Sequence, residues 1–416
     1  MMTLASPDRT WLFGTVALVI GVSLNVFSSS VATVLIAGTV TVAVQWMLLS
    51  PFCRRPHDLP LVLLDILVAL VAVVIERLQR GLQPRFPEWT FLFELVRSVC
   101  HRLLSRYGAN LVRIPENAQH FRSITEIIGK LDGSLSCAAH GTMIERVVVN
   151  GLEHIWLRGM RRDEEPNTPR RRLVVLYLHG GGFALFTPQY YVDVCNRIRQ
   201  AILLAMKTQG DGGSVDGSRL DVEILLANYR KTPEVTYPVP QEDALVMYKY
   251  LVTQVQVDPR DIVLMGDSAG GSLVMSTLLR LRAAPSVGMP LAAVLSFPIA
   301  DFSKDDARGG DCMLPSSFID ASCASLFPGV TEDADPSTWK ETTAAYCDLH
   351  DLPPVFIQVG SVDVLFRDAQ KLFQKAQSDG CSHWVLDLLR ASPGSEISSP
   401  AKPSIVDRQL AYEHYL

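Results

Sequence analysis

No C-x-x-C pair occurs among the eight cysteines, and no Asn-x-Ser/Thr acceptor occurs anywhere in the 416 residues. The first absence leaves no zinc-type motif, and the scattered spacing gives no disulfide framework, although isolated pairs stay open to an oxidising compartment. The second mildly favours a cytosolic location. Charge is balanced: 38 basic and 43 acidic residues leave a net −5, so no nucleic-acid partner is expected. The one basic cluster, Arg158, Arg161, Arg162 and Arg170 to Arg172, brackets Asp163-Glu164-Glu165-Pro166 and reads as a solvated hairpin loop, with anionic lipid as the alternative contact. Gln209 to Ser218 is rich in Gly, Asp and Ser and reads as a flexible insertion.

Long apolar runs are abundant at the amino end. Trp11 to Phe27 and Val31 to Leu49 are almost continuously apolar, and Leu59 to Ile75 forms a third run interrupted by Asp65. Each approaches the length a helix needs to cross a hydrocarbon core of roughly 30 Å. A cleaved signal would carry one short apolar stretch after a basic start, so a retained anchor of two to three segments fits better. Arg54-Arg55 favours cytosol between the second and third runs, whereas Arg77, Arg80 and Arg85 favour cytosol after the third. Both hold only if the third run does not span, and Asp65 weakens spanning because a carboxylate at bilayer depth is costly.

Further along, two glycine-rich strings end apolar runs that read as buried strands: His179-Gly180-Gly181-Gly182-Phe183 and Gly266-Asp267-Ser268-Ala269-Gly270-Gly271. The second fits G-x-S-x-G, with the strand candidate Asp261 to Met265 before it and a helix with apolar Leu273, Val274, Leu278 and Leu281 after it. That is the order in which a sharp turn presents a serine hydroxyl at a strand tip. The first string frees backbone N–H groups that can face the oxygen of a tetrahedral intermediate. Together the two strings specify a serine hydrolase.

These strings, with Asn228-Tyr229-Arg230-Lys231-Thr232-Pro233-Glu234, Tyr237-Pro238, Glu242-Asp243-Ala244 and Leu352 to Leu365, resemble the hormone-sensitive-lipase branch of the α/β-hydrolases over roughly residues 143 to 390. The resembling relatives include membrane-associated carboxylesterases and steryl-acetate hydrolases. The resemblance implies an α/β fold with a mostly parallel central sheet and a helical cap, here preceded by a transmembrane anchor. It divides the chain into an anchor at 1–80, a helical cap segment at 81–142 and a catalytic domain at 143–416. It makes Ser268 the nucleophile, with the N–H groups of Gly181, Gly182 and Ala269 as the oxyanion hole, and needs no cofactor or metal. His179 would anchor the glycine loop. Asp363, which follows an apolar strand and a glycine, is the acid; Asp368 reads as a helix-start or surface carboxylate.

A serine nucleophile needs a base and the base an orienting acid. The family pattern places the histidine near Ser392-Pro393-Gly394, where none stands. His383 precedes the last strand candidate, Trp384 to Leu389, and would lie at the wrong edge of the sheet. His414, followed by Tyr415, lies beyond the polar stretch Ala391 to Ser404 and becomes the base if that stretch is an insertion; a degenerate site is the remaining alternative. Amphipathic helices are expected over Glu88 to Tyr107 and Ala118 to Leu131. Their Trp89, Phe91, Phe93 and Phe121 either line an apolar pocket or pack on the body, and Asp301 to Asp351 completes the cap. The expected function is hydrolysis of a lipophilic ester, a sterol acetate or acylglycerol, at a membrane of the endoplasmic reticulum. The alternative is an impaired relative that binds a small apolar ligand. Membrane lipid is an expected contact, and the oligomeric state is left open.

Overall fold

A computed structural model describes Thr41 and residues 44–160, 171–210, 220–303, 308–330 and 334–389. The eight strands are β1 (Thr142–Val149), β2 (Leu152–Gly159), β3 (Arg171–Leu178), β4 (Leu220–Ala227), β5 (Ile262–Asp267), β6 (Ala292–Ser296), β7 (Val355–Gly360) and β8 (Val385–Leu389). They form one sheet in the order β1-β2-β4-β3-β5-β6-β7-β8. β2 pairs antiparallel with β1 and β4, and every pairing from β4 to β8 is parallel. The fold is thus the α/β-hydrolase arrangement that the two glycine strings require.

Parallel strands covered on both faces read as continuous apolar runs. Val174 to Leu178 of β3 and Ile224 to Ala227 of β4 are all buried. Alternate residues divide between the faces: Val174, Leu176, Leu178 and Leu225 join the larger core, while Val175, Tyr177, Ile224 and Leu226 join the smaller one. Each such side chain contributes about 1.5–3 kcal/mol on burial. All the parallel strands end at one edge of the sheet, where loops are free to carry chemistry.

An amino-terminal layer of three helices precedes the sheet: α1 (Leu59–Gln79), α2 (Phe91–Arg113) and α3 (Pro115–His140). Both amphipathic helices are longer than the apolar pattern predicts. Thr90 caps α2 by accepting from Phe93 N at 3.1 Å. Pro115 opens α3 immediately after α2 ends, because its missing N–H is tolerated at a first helical position. Five further helices complete the body: α4 (Val192–Gly210), α5 (Val239–Thr253), α6 (Ala269–Arg282), α7 (Ser316–Leu326) and α8 (Phe366–Ser378).

α2 lies on α7. Ser325 Oγ donates to the Val112 carbonyl at 2.7 Å, and the Gly108 backbone approaches the Phe318 ring so closely that a Cβ would stand 2.8 Å from it. All eight cysteines are free thiols. Among the described residues one helix, Pro56–Gln79, is long and apolar enough to cross a membrane. The apolar run Trp11 to Phe27 and most of Val31 to Leu49 lie outside the described residues.

Candidate active site

Ser268 sits between β5 and α6 with φ 51° and ψ −117°, a conformation that costs a non-glycine residue of order 1–3 kcal/mol. Its surroundings impose that turn. Ser268 N donates to Ser296 O at 3.0 Å, and its own carbonyl accepts from Ile299 N at 3.1 Å. Gly270 is obligatory, since a Cβ there would stand 1.9 Å from Leu178 O. The helix therefore crosses the end of β3 with no side chain between them.

Leu178 runs directly into the glycine loop, where Gly181 and Gly182 adopt φ 104° and 59°. Among the described residues, the N–H groups of Gly181, Gly182 and Ala269 have no hydrogen-bond acceptor. The loop is tied from several sides. Gly180 N donates to Asp267 Oδ1 at 2.9 Å, and Thr232 N donates to Phe183 O at 3.0 Å. A Cβ on Gly182 would lie 2.4 Å from Ser322 Oγ of α7, so α7 packs directly on this loop.

Asp267, the variable residue of G-x-S-x-G, is a positioning group that the motif itself does not reveal. Its carboxylate also accepts from Tyr177 OH at 3.0 Å and Tyr191 OH at 3.1 Å. Burial raises its pKa to about 6, against the lowering effect of these donors. His179 is buried between the rings of Tyr191 and Tyr229, at centroid distances of 5.3 and 4.7 Å. Its Nδ1 bonds to Gly180 O at 2.8 Å, and burial holds its pKa well below the usual value, so it stays neutral. Tyr229 OH donates to His179 O at 2.9 Å. Lys231 lies over the Tyr229 ring at 4.6 Å and donates to Tyr229 O; burial lowers its pKa to about 7.

Asp363 lies in the turn after β7, buried, with Oδ1 accepting from Leu365 N at 2.7 Å. β5, β6 and β7 are neighbours, so the ends that carry Ser268 and Asp363 lie two strand spacings apart, about 10 Å. Leu389 ends β8 at the same edge, its carbonyl accepting from Ser361 N at 2.8 Å. Leu389 therefore stands beside the turn that carries Asp363. His414 lies outside the described residues, as does Ala391 to Ser404. His383 lies at the opposite edge, where its Nε2 meets Leu352 O at 2.9 Å before the start of β7.

Two sequence expectations need correction. Asp368 is in the first turn of α8, as expected, but it is fully buried rather than at the surface. It accepts from Ala300 N and Asp301 N, both at 3.1 Å, and pairs with buried Arg308 at 3.2 Å. Burial raises its pKa to about 6. It pins the segment whose Ile299 holds the Ser268 carbonyl.

Of the aromatic residues expected to line a pocket or pack on the body, Phe91 is exposed beneath Arg77, and Trp89 is buried with its ring edge-on to Phe93 at 4.8 Å. Phe121 packs at 5.6 Å on Phe186, just beyond the glycine loop. Arg158 and Arg172 belong to strands rather than to a solvated loop. They pair with Glu223 at 3.0 and 2.7 Å and lie over the Trp156 ring, while residues 161–170 lie outside the described residues.

A strained serine at a strand tip, beside a glycine loop whose Gly181 and Gly182 N–H groups have no acceptor among the described residues, fits a hydrolase of the acyl-transfer type. Comparison with known proteins agrees. A family model described as alpha/beta hydrolase fold matches residues 217–385. The acetyl-hydrolase of Streptomyces hygroscopicus is 30% identical over 230 residues, 54% of this chain and 66% of that protein. An esterase of Acinetobacter venetianus is 26% identical over 241 residues, 56% of this chain and 72% of that protein. The crystal structure of an esterase/lipase from an uncultured bacterium matches with a TM-score of 0.50 at 25% identity, covering 66% of this chain and 81% of its own. The chain has the α/β-hydrolase fold and is a carboxylic ester hydrolase.

Proposed function

We propose that the protein cleaves a lipophilic short- or medium-chain ester, of sterol acetate or acylglycerol type, through an acyl-enzyme at Ser268. The observation that carries this reading is the Ser268 turn, with φ 51°, beside three N–H groups that have no acceptor among the described residues. The Ser268 hydroxyl attacks the ester carbonyl while His414 takes its proton, and Asp363 orients the imidazole and stabilises its charged form. The tetrahedral oxygen rests on the N–H groups of Gly181, Gly182 and Ala269, each donor typically worth about 2.7–4 kcal/mol of barrier. His414 then returns the proton to the leaving alcohol, and water repeats the attack on the acyl-enzyme. The contact of the Leu389 carbonyl with Ser361, at the edge of the sheet that carries Asp363, supports a base that follows β8.

The apolar amino-terminal runs support attachment to a membrane and hence a substrate that partitions into lipid; the resemblance to steryl-acetate hydrolases makes the endoplasmic reticulum the proposed membrane. The proposed division is an anchor at 1–80, a helical cap segment at 81–142 and a catalytic domain at 143–416. Fluorophosphonate labelling of the membrane-extracted full chain tests the reading. Wild type and His383→Ala are expected to label, Ser268→Ala to lose labelling completely, and His414→Ala and Asp363→Asn to label at least a hundredfold more slowly. A folded wild type that does not label sinks the hydrolytic assignment and leaves the ligand-binding alternative.

A further inference from the structure

α1 carries two unlike faces. Its buried stripe is Val62, Asp65, Ala69 and Val73, and this stripe runs along α2. Asp65 accepts from Arg102 Nε at 2.8 Å and Tyr107 OH at 2.6 Å and pairs with Arg106 at 3.1 Å. Ser98 Oγ reaches Ala69 O at 3.5 Å, and Glu94 pairs with Arg77 at 3.5 Å and Arg80 at 3.1 Å. The order of these contacts makes the helices antiparallel and in contact from Asp65 to Arg80. On its other side, Leu61, Leu64, Val68, Val71, Ile75 and Leu78 form a ridge at helical spacing, each between 39% and 61% exposed.

If α1 crossed a bilayer, it would draw Asp65, Arg102 and Arg106 into hydrocarbon together with the polar length of α2, a costly outcome for every charge. Yet so long an apolar ridge is also unlike an ordinary solvated surface. We infer that α1 does not span but lies lengthwise in one leaflet, its ridge in the boundary between headgroups and acyl chains and α2 on the water side. A helix with one apolar face and a charged opposite side takes this orientation.

Lipid is the occupant for three reasons. The upstream apolar runs end at Leu49, immediately before the short turn that leads into α1. Exposed Arg54 and Arg55 precede the ridge, where anionic headgroups would meet them. Phe91 and Leu92, also exposed, lie past the other end of α1 and extend the apolar surface. Because α2 lies on α7, and α7 touches Gly182, the proposed membrane seat is joined to the glycine loop by direct packing. The inference rests on the membrane attachment in the proposed function.

The test is depth measurement on the full chain. A fluorescent amino acid replaces Leu61, Val68 or Ile75, one at a time, in protein reconstituted into phosphatidylcholine–phosphatidylserine vesicles that carry shallow or deep nitroxide lipids. The expected result is preferential quenching by the shallow nitroxide, to the same extent at all three positions. A steady change in depth from 61 to 75, up to about 21 Å for these fourteen residues, overturns the inference in favour of a spanning helix. No quenching in vesicles that retain the protein after alkaline carbonate also overturns it, since the ridge is then covered by the upstream runs or by a second copy. Loss of the protein in that wash instead fails the attachment on which the inference rests. Fluorophosphonate reactivity of each sample reports separately on the hydrolase fold and site.

Discussion

The sheet body and the amino-terminal helical layer are built on different principles. In the body, apolar strand residues are buried in layers on both faces, and the buried carboxylates Asp267 and Asp368 hold backbone N–H groups of loops at the edge that carries Ser268. In the layer, the helices are joined by arginines paired to Asp65 and Glu94, while an apolar ridge faces outward. The body is therefore specified by volume, and small changes at its loops reach the chemistry. In the layer, charge pairs join α1 to α2, and the layer reaches the glycine loop through α7 and through Arg122. Arg122 of α3 is where the two meet: it donates to Ala184 O at 2.7 Å and pairs with Glu234, bracing the glycine loop from outside the body.

The sharpest test of this contrast lies in the body. Gly182→Ala is expected to lower kcat about a hundred- to a thousandfold, as loss of one oxyanion donor does, because φ 59° and the nearby Ser322 Oγ leave no room for a Cβ. Steady-state hydrolysis of a soluble acetyl ester, with circular dichroism to show intact folding, checks it. At the junction, Arg122→Lys keeps the charge but loses the guanidinium fork. A fall in kcat of about fivefold with unchanged KM, the mark of misplaced oxyanion donors rather than lost binding, is expected; an equal loss in KM alone would place Arg122 outside the site's support.

In the layer, Asp65→Asn leaves Arg102 and Arg106 without their carboxylate. Both arginines are partly exposed, so the expected cost is about 1–2 kcal/mol, well below that of a fully buried pair. Soluble-ester kcat is expected to stay within about twofold of wild type, since this contact is far from the reacting groups. Denaturant unfolding and the same kinetic assay measure both; a large loss of activity would erase the distinction between the regions.

A further test is one of pH. The folded pKa of Lys231 is about 7, below the ordinary value, so between pH 7 and about 10 the unfolded chain binds a proton that the folded chain does not. Stability rises with pH wherever the unfolded state binds more protons. Lys231→Met is therefore expected to remove a rising component from the melting temperature between pH 7 and 10, and to gain most relative to wild type near pH 6.

The sequence was most legible where chemistry is local. Gly266-Asp267-Ser268-Ala269-Gly270 and His179-Gly180-Gly181-Gly182 sit at the ends of strands that their apolar runs already mark. Asp363 stands in the turn after β7 for the same reason, and His383 falls before β8 at the far edge. Asp368 was less legible: its helix-start position follows from local sequence, but its burial depends on Arg308 and on the Ala300-Asp301 backbone, about sixty residues away. Asp267 was hidden as the variable letter of a motif, because its tyrosine partners come from β3 and the segment before α4.

By itself, then, the sequence determined the strand pattern, the serine turn and the glycine loop, since each depends on backbone freedom and side-chain periodicity within a few residues. Only the tertiary structure decided which charges are buried and what they hold, and whether an apolar helix has one face or two. Asp65 looks like a defect in an apolar run until Arg102, Arg106 and Tyr107 arrive from the next helix. The energy of a buried charge is set by neighbours that the chain brings together only on folding.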